Sequence, residues 1–320
     1  MNHATISTAI TSMLGIDLPI VQAGMSWVSS CAELPAAVSN AGGLGVLAAG
    51  PMRIPDFRAT LSTLRSSTRK PFAVNLPLYR AGADELAEIL LDDPVPVVIA
   101  SQGGPKRHLS RFHEVGTRWL HVVSTVPYAV KAAEAGVDGL IVVGGEAGGH
   151  PPTDLVSTMV AIRAVRKRLP DMPIVASGGF ADGAGLAAAL ALGADAAQFG
   201  TRFIASNEAS VSPAYQDRVV GASVSDTRTV GRDLGLIRML SNEFSDSMLA
   251  LEQSGALEDE RKELFLSSSL KDAAFHGSVD KGKVEAGQSA GLIDSVLPAD
   301  EIVSSIVAEY FDAVSRLPGC

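Results

Sequence analysis

Short apolar runs recur along the first two-thirds of the chain. A glycine-rich or polar break follows each run, and then an alanine- and leucine-rich stretch with helical spacing. The runs occupy residues 20–23, 44–48, 71–75, 97–101, 119–124, 138–143, 174–177 and 194–199. Each is continuously apolar rather than alternating, the pattern of a parallel strand covered on both faces. Between them, residues 32–41, 82–91, 127–135, 153–169 and 183–192 carry the helical period. Eight such units predict an α/β fold, a (β/α)8 TIM barrel over residues 1–206, rather than an open doubly wound sheet.

After Thr201 the rhythm stops. Residues 207–280 read as helical and more polar, with 233–255 the longest amphipathic stretch, and no strand is predicted there. This segment is expected to be a small helical substrate or lid subdomain, inserted after the eighth strand. The charged run 258–263 reads as a solvated face. Residues 281–320 read as a C-terminal segment returning to the barrel, with a helix over 299–317.

The candidate chemistry lies in the breaks. Gly144-Gly145-Glu146-Ala147-Gly148-Gly149-His150 follows the sixth run, so a glycine-rich loop at a strand end delivers one imidazole. Loops at that end of a barrel carry the chemistry, and imidazole moves protons near neutral pH. Ser177-Gly178-Gly179-Phe180 and Phe199-Gly200-Thr201-Arg202 follow the seventh and eighth runs. Loops there commonly hold phosphate, because small residues let backbone N–H groups approach it and Thr201 can donate its hydroxyl. The alternative is a pair of ordinary turns. No Walker motif, dinucleotide fingerprint or nucleophile elbow is present. The histidines lack metal-ligand spacing, so no metal site is expected; His113 and His121 read as surface or packing residues.

Bulk properties narrow the class. The chain has 320 residues, 47% hydrophobic and 19% charged, as in an ordinary soluble enzyme. A net charge of -9 with no basic stripe argues against nucleic-acid binding. Two cysteines, Cys31 and Cys320, are too few for a disulfide framework, so a cytoplasmic protein is expected. Neither a signal peptide nor a membrane span is expected. Trp119, inside a strand, reads as core, whereas Trp27 could line a site or pack.

Taken in order, Pro19-Ile20-Val21-Gln22-Ala23-Gly24-Met25, Glu146-Ala-Gly-Gly-His150, Ser177-Gly-Gly-Phe-Ala-Asp-Gly183, Gly200-Thr-Arg-Phe203 and Ala286-Gly-Gln-Ser-Ala-Gly-Leu292 resemble the nitronate monooxygenase (2-nitropropane dioxygenase) family. The resemblance implies a barrel with non-covalent FMN and oxidation of alkyl nitronates with O2. It implies flavin against the backbone of Ala23, Gly24 and Met25, beside the Asn75 amide. It implies phosphate among Gly148, Gly179, Gln198, Phe199, Gly200 and Thr201, with Gly178 clearing the same approach. His150 is then the catalytic residue at the reactive edge. Two positions depart from nitronate-oxidising relatives, which carry Gln where Val143 stands and often Lys near Val122. The scaffold is also similar to flavin-dependent enoyl-ACP reductases and NADH:quinone reductases, in which NADH is a co-substrate. Oligomeric state is not written in the sequence, although barrels of this kind often pair as homodimers.

Overall fold

The computed structural model describes residues 5–318; His3 and Cys320 lie outside them. Eight parallel strands form the centre: β1 (Ile20–Gln22), β2 (Gly45–Ala48), β3 (Phe72–Pro77), β4 (Val97–Ser101), β5 (Arg118–Val123), β6 (Gly139–Val143), β7 (Ile174–Ser177) and β8 (Ala196–Phe199). Successive strands pair from β2 to β8, and β8 pairs with β1. The ring closes between β1 and β2, where Gln22 N–H reaches the Leu44 carbonyl at 3.0 Å and Leu44 N–H reaches the Ile20 carbonyl at 2.8 Å. This is the (β/α)8 barrel that the apolar runs predict.

The period of two along each strand sorts the side chains into two cores. Val21, Val46, Ala73, Val97, Ile99, Leu120, Ile141, Val175 and Ala196 point inward and fill the barrel. Ile10 and Leu14, from the short helix Ala9–Leu14, join this cluster and plug the N-terminal end. Ile20, Leu47, Val74, Val98, Trp119, Leu140, Ile174 and Ala197 point outward, against the helical ring. Trp119 is fully buried, and its indole N–H lies 3.3 Å from His121 Nδ1, so both are packing residues. His113 meets Asp138 at 2.8 Å on the surface.

One expectation is overturned between residues 207 and 280. Thr227–Val230 (β9) pairs antiparallel with Ile237–Leu240 (β10), so the segment is not purely helical. The supposed amphipathic stretch 233–255 contains β10 followed by the helix Glu243–Ser254. All four residues of β10 are buried, so the strand shows no alternation to read. Gly231, at φ +73, begins the turn between the strands. The helix Ala299–Ser315 packs on the helix Gly183–Ala191, and Glu309 accepts the Gly183 N–H at 2.8 Å.

Candidate active site

The inward parity of the strands also builds the site. One layer above the apolar filling, Asn75, Ser101, Val122, Val143, Ser177 and Gln198 point inward at the C-terminal strand ends. All six line one cavity of about 440 Å³, within the ordinary range for a small-ligand site. The floor is therefore polar on one side, where Gln198 donates to Ser177 Oγ at 3.0 Å. It is apolar on the other, at Val122 and Val143.

Ala23, Gly24 and Met25 continue β1 into the cavity wall. A Cβ on Gly24 would sit 2.5 Å from the Asn75 Cβ, so only glycine allows this approach. Asn75 is steadied by donating from Nδ2 to the Ile99 carbonyl at 3.1 Å. Trp27 lines the mouth in contact with Phe275, edge-on at 5.3 Å between centroids, with the Lys271 ammonium 5.2 Å from its ring.

Among the described residues, His150 is the only histidine in the cavity wall and is exposed there. The glycines before it divide into two kinds. Gly144 and Gly145 serve packing, since a Cβ on either would strike Thr158 or Leu155, whereas Gly148 and Gly149 border the cavity. Glu146 anchors the loop by accepting from both the N–H and the hydroxyl of Thr158 at 2.8 Å.

The hairpin holds the same loop from the other side. Arg238 in β10 exchanges backbone hydrogen bonds with Gly149, at 3.1 and 2.7 Å. Its buried guanidinium donates to the Gly145 carbonyl at 2.8 and 3.2 Å. Burial pulls the pKa of this group down, and the Glu146 carboxylate opposes that shift. Arg238→Met leaves a buried carbonyl without its donor, so it is expected to cost about 1–3 kcal/mol of stability. Turnover should fall with flavin retained. Unfolding midpoints and steady-state rates equal to the parent protein would refute this.

Gly178 and Gly179 lie after β7 at φ +104 and +86, a region that side-chain-bearing residues rarely adopt. The backbone N–H groups of Gly148, Gly178, Gly179 and Gly200 find no partner among the described residues, and all four residues line the cavity. Thr201 also lines it; its hydroxyl accepts the Gly287 N–H at 2.9 Å and keeps its own hydrogen to donate. The Phe199 side chain departs from the others. Parity turns it outward, where it is fully buried near Phe180, and its carbonyl accepts the Ala23 N–H at 2.9 Å, so Phe199 does not line the cavity. Orphan N–H donors beside glycines are suited to an anionic group such as the FMN phosphate, so the residues present fit that cofactor.

Sequence reasoning missed Glu285 and Tyr215, which also line the cavity. Tyr215 is fully buried and donates its hydroxyl to the Glu285 carbonyl at 2.7 Å. Burial raises the Glu285 carboxyl pKa, while His150 and Lys283 pull it back. The signal was an acid held between Val284 and Ala286, directly before the Ala-Gly-Gln motif. A second cavity, of about 520 Å³, lies outside the barrel near Arg202 and Glu309, between the helices Gly183–Ala191 and Ala299–Ser315. No histidine and no glycine lines it among the described residues, so the chemistry belongs to the first. Among the described residues, no three His, Cys, Asp or Glu side chains cluster to hold a metal. No helix there is long and apolar enough to cross a membrane.

Comparison with known proteins agrees with this geometry. A family model described as nitronate monooxygenase matches residues 7–89 and 83–309. The nitronate monooxygenase of Paraburkholderia phytofirmans is 32% identical, covering 99% of each chain. An octahydro-indene carboxyl-CoA dehydrogenase of Mycobacterium tuberculosis is 31% identical, over 98% of this chain and 97% of that one. The structure of FabK from Thermotoga maritima superposes with a TM-score of 0.92 at 38% identity, covering 98% of this chain and 99% of that one. Barrel, rim loops and whole-length likeness thus coincide: the chain belongs to the nitronate monooxygenase family and is a flavin-dependent oxidoreductase.

Proposed function

We propose that this cavity binds FMN and that the protein oxidises alkyl nitronates with O2, with His150 serving the substrate. The observation that carries the reading is an imidazole in the wall of the same cavity that a rim of unpaired backbone donors lines. Gly148, Gly178, Gly179, Gly200 and Thr201, with Gln198, would hold the phosphate. Ala23, Gly24, Met25 and Asn75 would hold the ring. When bound, the flavin supplies the electron acceptor and the site that reacts with O2. His150 orients the anionic head of the nitronate and exchanges its proton. Residues 207–280 act as the substrate subdomain, contributing Tyr215 and Leu270 to the wall.

A second reading, an NADH-dependent redox enzyme of a thioester, draws on one structural observation. Val122 and Val143 make the cavity floor apolar, at the positions where the resemblance to nitronate-oxidising proteins implies Lys and Gln. The likeness to a carboxyl-CoA dehydrogenase points the same way. Anaerobic mixing separates the two readings. Bleaching of flavin absorbance by a nitronate and not by NADH is expected for nitronate oxidation; rapid bleaching by NADH alone would replace it with the reductase. Mass measurement of the released cofactor checks FMN directly.

A further inference from the structure

The second cavity, of about 520 Å³, borders the same two loops that follow β7 and β8. Phe180 and Thr201 line the first cavity, whereas their chain neighbours Ala181 and Arg202 line the second. One wall is a single face of the helix Ala299–Ser315, on which Ile302, Ser305, Ile306, Glu309 and Ala313 recur at helical spacing. The opposite wall is the segment 292–297, with Leu292 exposed at its edge.

Arg202 is the group that the fold leaves unfinished there. It is only 7% exposed, and its Nη2 donates to the Ala205 and Ser295 carbonyls at 3.0 and 2.6 Å. Its Nε is buried without a partner, and Nη1 takes no hydrogen bond among the described residues. Burial pulls the pKa of the guanidinium down, while the Asp294 and Glu309 carboxylates oppose that shift from a distance. A buried cation with unspent donors marks a place where an acceptor is expected.

The carboxylates of the cavity are unspent in the complementary way. Asp182 accepts the Gly185 N–H at 2.7 Å, and Asp312 pairs with Arg316. Glu309 uses one oxygen on the Gly183 N–H and Asp294 uses one on the Ser295 hydroxyl, each at 2.8 Å. The other oxygen of each takes no hydrogen bond among the described residues. A simple anion would therefore meet four carboxylates, and a simple cation would lie against a guanidinium.

We infer that this cavity is a second ligand site, for a small zwitterion with an aliphatic body, an α-amino acid of the leucine type. Its carboxylate meets Arg202, its ammonium lies between Asp294 and Glu309, and its side chain covers Leu292 and Leu297. Charge-assisted hydrogen bonds at both ends give the selectivity, and the apolar contact adds affinity. The inference goes beyond the proposed function and does not rest on it, because the two cavities share no lining residue.

Isothermal titration of the flavin-loaded protein with three probes tests the site. L-leucine is expected to bind with a Kd of about 1 mM or tighter. N-acetyl-L-leucine lacks the ammonium and L-leucinamide lacks the carboxylate. Each should bind about 10-fold or more weakly, through loss of one hydrogen bond between charged groups. Ser305→Trp, on the exposed part of the helix face, fills the cavity and should abolish leucine binding. Asp294→Asn, at an exposed position, should weaken it about fivefold. One flavin per chain and an unchanged unfolding midpoint show that each variant is folded. No leucine binding by wild type, equal or tighter binding of either single-charge probe, or leucine binding undiminished in both variants would overturn the assignment.

Discussion

Replacing His150 with alanine is expected to yield a protein that still carries its flavin but turns over about 10²–10⁴-fold more slowly, the ordinary contribution of a positioned acid or base. The argument is one of placement. The imidazole is exposed in the cavity wall, on a different loop from the backbone donors of Gly178, Gly179 and Gly200. The loop that carries it is held by Glu146 on one side and Arg238 on the other, so the truncation should not release the loop. Flavin absorbance per chain and kcat/KM for a nitronate, measured on one preparation, test both halves. A loss smaller than threefold would make His150 a surface residue, and loss of flavin would move it to the cofactor.

Gly179→Val should give the opposite pattern, with the flavin lost first. At φ +86 a β-branched residue is a genuine outlier, at a cost of about 1–3 kcal/mol. Its Cβ would stand 3.4 Å from the Glu146 Cβ, an ordinary contact, so the backbone conformation rather than space sets the cost. Valine keeps the backbone N–H, but a backbone forced out of this conformation turns that donor away, and a lost hydrogen bond to a charged group removes about 1.5–3 kcal/mol. FMN affinity should therefore weaken about 10- to 100-fold, read by equilibrium dialysis. One flavin per chain at unchanged affinity would remove this loop from the proposed phosphate site.

The barrel was readable because buried parallel strands announce themselves as unbroken apolar runs, and eight of them leave few alternatives. The ends of those runs then locate the rim, and the glycine-rich breaks stand out in composition alone. The hairpin β9–β10 was not readable. Its inner strand, Ile237-Arg-Met-Leu240, is buried throughout and has no period of two, and Arg238 looks like a surface charge until its partners are known. Phe199 shows the limit of motif reasoning from the other direction. It sits inside a motif, yet strand parity sends its side chain away from the cavity.

By itself, then, the chain's pattern of apolar runs and small-residue breaks determined the architecture and the rim on which chemistry could occur, because both depend on local periodicity and local steric freedom. Only the tertiary structure decided which side chains face that space. Glu285 and Arg238 reach the histidine loop through contacts with residues about a hundred or more positions away, and Val122 and Val143 enter the floor only through the closure of the barrel. Neither contact over such distances nor the inward turn of a strand is carried by neighbours in sequence, so these groups become visible only when the ring closes.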